Sequence, residues 1–214
     1  MRGAGQSCAL GPARPARGRR VGVQSWCVHE PSPALHGTRP LTDAARLPDA
    51  APLLVYVMDV YDPQAYAYQP SVSALLTAAR AFADIEVVQS GRVSSPLAAA
   101  GVIALLADED LPVGTVLEAV QDAYFVGGRS LDTAEVLRDV ALQLGLDAPA
   151  VELFGRSALA QQLAEADVEL ARDLGGSGGP LLLATKGERI YEFDGLGASG
   201  EHLVDQFRSV LAKP

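Results

Sequence analysis

The chain has 214 residues, 49% hydrophobic and 20% charged, near the averages of soluble globular proteins, so it suits one domain with a sizeable buried core. Its formal net charge of −9 is unevenly spread: residues 1–50 carry seven Arg against three acidic residues, whereas residues 51–214 carry ten basic against twenty-three acidic side chains. An acidic body argues against nucleic acid or an anionic membrane as the main partner, and no run approaches the roughly 18 apolar residues that a spanning helix needs.

Residues 1–50 hold Pro12, Pro15, Pro31, Pro33, Pro40 and Pro48 with Gly and Arg between them, and neither helical nor strand periodicity survives that punctuation. The segment reads as disordered and basic. It is either a tail that engages a partner or targets an organelle, or upstream sequence from a misplaced start site, with the folded protein beginning near Ala51. Residues 1–30 lack the continuous apolar stretch of about 7–15 residues that marks a secretory signal. Arg19-Arg20 precedes too short and polar a run to act as a twin-arginine signal, so the expected location is cytoplasmic. Both cysteines, Cys8 and Cys27, lie here; their separation is neither a zinc-site nor a Cys-x-x-Cys spacing, and they read as free thiols rather than a bridge.

From Leu53 the chain reads as a strand (53–58), a tight turn, and a helix to about Phe82. Ile85-Glu86-Val87-Val88 is a second β-rich run, and the helix between makes a βαβ unit with parallel strands and a right-handed crossover. Residues 97–107, rich in Ala and Leu, read as helix. A further helix spans about 112–127, with Val116, Leu117, Val120, Tyr124 and Phe125 at helical spacing, and Gly127-Gly128 ends it. Ser130-Leu131-Asp132 leads into a helix through Leu144, striped by Val136, Leu137, Val140, Ala141 and Leu144 and closed by Gly145. Another runs from about Ser157 to Leu174, before the glycine-rich residues 175–179. Pro180–Ala184 and Arg189–Glu192 are strands joined in a hairpin at Lys186-Gly187. Glu201 to Leu211 is an amphipathic helix with Leu203, Val204, Phe207, Val210 and Leu211 inward. The order is βαβ, a block of helices, then ββα; a helical bundle with two stray hairpins is the structural alternative.

Several stretches carry a resemblance. Tyr56-Val57-Met58-Asp59 looks like the strand that leads into the Cys-x-x-Cys turn of DsbA-family proteins, particularly their cytoplasmic FrnE-like branch, and Pro70 falls where a Pro often follows that turn. Residues 123–131, Ala-Tyr-Phe-Val-Gly-Gly-Arg-Ser-Leu, are similar to that branch's A-[YF]-F-x-x-G-[RK]-x-[LI] stretch, and Leu144-Gly145-Leu146-Asp147 fits its sequel. Leu174 to Pro180 looks like the G-V-x-G-x-P loop, which carries a cis-proline in the family. The match covers roughly residues 53–212. It implies an α/β thioredoxin fold (βαβ…ββα) with an α-helical insertion at about 97–172, in a domain spanning 51–214.

The sequence departs from that pattern in two places. The link from Gln89 to Pro96 looks shorter than usual, which would trim a substrate groove. Asp62 and Ala65 occupy the places of the two cysteines. Asp59 to Tyr66 also resembles, more distantly, the turn of kappa-class glutathione transferases and 2-hydroxychromene-2-carboxylate isomerases, with Asp62 where their Ser holds the glutathione thiolate. That comparison implies glutathione as a ligand; no other cofactor is implied.

A catalytic Cys at a helix N-terminus works because aligned peptide dipoles and free N–H groups favour its thiolate, and exchange then needs a second sulfur to resolve it. Asp62 cannot attack a disulfide and Ala65 has no functional group, so no catalytic residue is expected unless Cys8 or Cys27 folds back. What Asp62-Pro63 does well is begin a helix: Asp caps and Pro fits the next position, a device worth about 1 kcal/mol. The sharper reading makes Asp62 a general base or ligand anchor, but a helix N-terminus favours the charged form and makes a feeble base, and the charge would repel a thiolate. The remaining candidates for a ligand site are Tyr61, Pro63, Gln64, Tyr66, Gly179 and Pro180, with Tyr68 beside them. They would form a groove for an unidentified protein or peptide, although the tyrosines' helical spacing also suits core packing. His29, His36 and His202 lack partners at ligand spacing, so no metal site is expected. The glycines at 175–179 lack the Lys-Ser/Thr of a phosphate loop and precede a strand.

Overall fold

The computed structural model describes residues 51–213. The basic segment 1–50, with Cys8, Cys27, His29 and His36, lies outside the described residues.

The chain runs β1 (Leu53–Met58), α1 (Pro63–Ala79), β2 (Asp84–Gln89), α2 (Pro96–Leu106), α3 (Val113–Phe125), α4 (Ala134–Gln143), α5 (Ala148–Gly155), α6 (Ala158–Asp173), a 3-10 turn (Gly176–Gly178), β3 (Leu181–Lys186), β4 (Arg189–Glu192) and α7 (Gly200–Ala212). The strands form one sheet in the order β2-β1-β3-β4. β1 and β2 are parallel, as their helical crossover requires; β1–β3 and β3–β4 are antiparallel. This is the mixed sheet of a thioredoxin fold, and α2 to α6 all lie between its second and third strands.

β1 shows why its sequence is an unbroken apolar run: it is central, and both faces are buried. Leu54, Tyr56 and Met58 point into the larger core, with Leu75, Leu76, Leu117, Leu137, Leu203 and Phe207. Val55 and Val57 point the other way, with Val88, Leu183 and Ala171. The helices α2, α5 and α6 bury a separate cluster built largely of alanines, including Ala99, Ala100, Ala104, Ala160 and Ala164.

One element is absent from the sequence reading. α5, only eight residues long, starts at an Asp147 cap, whose side chain accepts from Ala150 N, with Pro149 in its first turn. Its signal is the cap rather than a stripe, because eight residues make barely two turns. Pro70 sits inside α1 on its exposed side, and the helix continues through it.

Candidate functional site

Two carboxylates three residues apart flank the junction of β1 and α1. Asp59 is buried and saturated with donors. Its Oδ1 accepts from Tyr61 N (2.9 Å) and Ser94 N (3.1 Å); its Oδ2 accepts from Val93 N (2.6 Å), Ser94 N (2.9 Å) and Ser94 Oγ (3.1 Å). It thereby staples the link between β2 and α2 onto the turn. That link is the segment the sequence marks as short.

Asp62 is the N-cap of α1, with extended backbone (φ −75°, ψ 120°), and its Oδ1 accepts from Gln64 N at 2.9 Å. Pro63 follows at the first helical position, where its missing N–H costs nothing. The other carboxylate oxygen, Oδ2, forms an ion pair with Arg92 Nη2, which reaches over from the stapled link. The Asp62 side chain is 4% exposed and the Arg92 side chain 41%. The two aspartates thus act in series: Asp59 fixes the loop, and the loop supplies the cation for Asp62.

Val57 of β1 lies opposite Leu181 of β3, which brings Gly179 and Pro180 level with the turn. Gln64, on the first turn of α1, faces Gly179. Its Nε2 donates to Tyr68 Oη at 2.8 Å, and a Cβ built on Gly179 would come within 2.9 Å of its Oε1. Gly179 has φ +152° and ψ −170°, a conformation that L side chains rarely adopt, so glycine is needed there for its backbone. No cis peptide bond occurs among the described residues. Pro180 therefore follows a trans bond, unlike the cis-proline of the resembling loop; with Gly179 free to take this φ, the chain enters β3 without one.

The other predicted site residues divide. Ala65 is completely buried in the main core, while Pro63 and Gln64 are exposed on the first turn of α1. Tyr61 is a core side chain: its ring stacks on Tyr124 (centroids 3.8 Å apart), its hydroxyl meets Ser130 Oγ at 3.2 Å, and Leu131 N donates to it at 2.6 Å. Burial makes its phenol a weaker acid than usual, against the opposing pull of those hydrogen bonds. Tyr66 is half-buried, stacked on Phe125 at 4.4 Å, with its hydroxyl 3.4 Å from Asp122 Oδ1. Tyr68 packs against Gly197, where a Cβ would come within 2.5 Å of the ring.

Beneath the turn, Tyr56 is 2% exposed and its hydroxyl has no hydrogen-bond partner among the described residues. Burial first, then the negative charge of Asp62 and the neighbouring Tyr68 phenol, hold its proton far above the usual phenol range. Arg92, Asp59, Ser94 and Tyr56 are the residues that sequence reasoning did not assign to the site. Asp59 had a signal, being a lone acid at the end of a wholly apolar run; Arg92 had none, because only the tertiary staple brings it to Asp62.

His202 lies elsewhere, in an open concavity between β4 and α7, with Nε2 3.3 Å from Asp194 Oδ1 and 2.8 Å from Gln206 Nε2. No group of three potential metal ligands occurs among the described residues, and no described helix is long and apolar enough to cross a membrane. Among the 175–179 glycines, Gly176 serves packing: a Cβ there would come within 2.5 Å of Val57 Cγ1. Chemically, the turn offers a capped carboxylate, a half-exposed guanidinium, a primary amide and phenols. These groups suit hydrogen bonding and ion pairing.

Comparison with known proteins fits this geometry. The family model described as a DSBA-like thioredoxin domain matches residues 59–212. A provisionally assigned protein disulfide isomerase from Nitrosomonas europaea superposes with a TM-score of 0.66 at 18% identity, over 75% of this chain and 98% of its own. The cytosolic disulfide reductase DsbM from Pseudomonas aeruginosa gives 0.62 at 17% identity, over 75% of this chain and all of its own. DsbA from the same organism gives 0.56 at 19% identity, over 76% and 87%. Among curated proteins, none matches the chain.

Proposed function

The chain belongs to the DSBA-like thioredoxin domain family, and we propose that it is a member without dithiol–disulfide exchange, acting as a peptide or small-ligand binding module. The observation that carries this reading is the ion-paired helix cap: Asp62, joined to Arg92, stands at the start of α1 where the resemblance calls for the reactive sulfur. Residues 51–214 contain no cysteine that could take its place, and without a thiolate and a resolving thiol exchange has no mechanism. The opposite wall, Gly179-Pro180, offers backbone and needs no sulfur to bind an extended ligand. The proposed location is the cytoplasm, as DsbM is described as cytosolic.

The test is insulin reduction and scrambled-disulfide refolding with the full chain carrying Cys8→Ser and Cys27→Ser. Rates at the uncatalysed background are expected; clear turnover would overturn the proposal.

A second reading, a glutathione-dependent transferase or isomerase with Asp62 at the ligand, draws support from a DsbM structure containing GSH. Calorimetric titration separates the two. Saturable binding of glutathione that disappears in Asp62→Ala favours the enzyme, and no heat at millimolar glutathione retires it.

A further inference from the structure

We propose that the Asp62–Arg92 pair marks a subsite for a basic side chain, in which a cationic residue of an extended peptide displaces Arg92 from the Asp62 carboxylate. The inference rests on the binding-module reading and names the class of ligand that the same groove would take.

The two partners of the pair are held very differently. Asp62 is fixed: it is 3% exposed, and its Oδ1 is committed to the helix cap. Arg92 rides at the end of a long side chain that is 41% exposed, and ordering such a side chain costs conformational entropy. The guanidinium can therefore leave for water while the carboxylate cannot.

That asymmetry decides the sign of the ligand. A cation arriving at Asp62 exchanges one ion pair for another, and the released Arg92 is hydrated. An anion drawn to Arg92 would either crowd a second negative charge against Asp62 or strip a buried carboxylate of its partner, and a buried unpaired charge is strongly unfavourable.

Tyr56 provides an independent sign that something is missing. Its hydroxyl is buried and unpartnered within the field of Asp62, and buried polar groups are rarely left so. Gly179 carries no side chain, and the group over it is the flexible end of the exposed Gln64, which an extended chain lying before β3 would move aside. The wider field agrees: Asp122 lies beside Tyr66, Asp132 lies beyond Ser130, and residues 51–214 sum to a net charge of −13. Such a field raises the encounter rate with basic peptides.

The experiment is fluorescence anisotropy with the full chain and three labelled nonapeptides identical but for a central Arg, Ala or Glu. The Arg peptide is expected to bind at least tenfold more tightly than the other two. Asp62→Asn should bring it down to the Ala level, since Asn still caps the helix and the fold is retained. Arg92→Ala should leave the Arg peptide's affinity unchanged or raise it severalfold. Preference for the Glu peptide, lost in Arg92→Ala, would overturn the proposal by making Arg92 the receptor. Equal binding of all three peptides, indifferent to Asp62→Asn, would overturn the basic subsite and leave the binding module standing. No binding of any peptide would remove the peptide-binding reading itself.

Discussion

The turn between β1 and α1 and the seam between β2 and α6 both hold carboxylates against the fold, but they surround them in opposite ways. At the turn, Asp59 gathers three backbone N–H groups and a hydroxyl, and Asp62 gathers one N–H and a guanidinium. At the seam, Asp167 of α6 accepts a single bond, from Gln89 N at 3.0 Å, and has Glu86 of β2 for a neighbour. Burial pushes the Asp167 carboxyl up to about 7, the Gln89 bond lowers it, and Glu86 raises it further; Glu86 is itself raised by burial. The turn surrounds its carboxylates with donors, whereas the seam gives Asp167 one donor and an acidic neighbour. On the reading proposed above, in which Asp62 stands at the family's sulfur position, the carboxylate there is surrounded by partners of its own.

The comparison breaks most visibly if Asp59 proves dispensable. Asp59→Ala strands Tyr61, Val93 and Ser94 N–H groups and frees the loop bearing Arg92. Urea unfolding should show a loss of about 3 kcal/mol or more, because buried donors to a charged group are left without acceptors. A loss below about 1 kcal/mol would mean the staple is ornamental.

The seam makes a prediction of pH. The folded state keeps the Asp167 proton to about pH 7, while the unfolded chain releases it near the ordinary 3.8. Between those values the folded state binds more protons, so this group's contribution to stability is full below about pH 4 and is lost as pH rises to about 7. Asp167 is only partly buried, so screening by water reduces the effect to the order of 1 kcal/mol. The urea midpoint should fall between pH 5 and pH 8, and Asp167→Asn should flatten that fall. An unchanged slope in the variant would contradict the assignment.

The smallest effect is expected at Tyr56. Removing an unpartnered buried hydroxyl relieves a desolvation cost, so Tyr56→Phe should leave stability unchanged or raise it by about 0.5 kcal/mol. A loss of more than 1 kcal/mol would show that the hydroxyl has a partner in solution, most simply a buried water.

Much of the scaffold was legible because its signals are local. A strand buried on both faces reads as an apolar run, Asp62-Pro63 reads as a helix start, and Gly128, Gly145 and Gly187 all adopt positive φ where chain breaks are expected. What escaped was short or long-range. α5 has too few turns for a stripe, and its Asp147 cap was absorbed into a family motif. Tyr61, Tyr66 and Tyr68 look alike in sequence, yet one stacks in the core, one on Phe125 and one on Gly197. Arg92 lies thirty residues from its partner in an undistinguished loop, so its role emerges only once Asp59 has folded that loop back.

The central claim is that Asp62 and Ala65 stand where the family's exchange chemistry stands. Putting the sulfur back tests it most directly: Asp62→Cys with Ala65→Cys, in a chain also carrying Cys8→Ser and Cys27→Ser, assayed for insulin reduction. The account predicts that the two new thiols form a disulfide with each other and that the variant turns over above the parent's background. A variant that folds but neither forms that bond nor gains activity would contradict it.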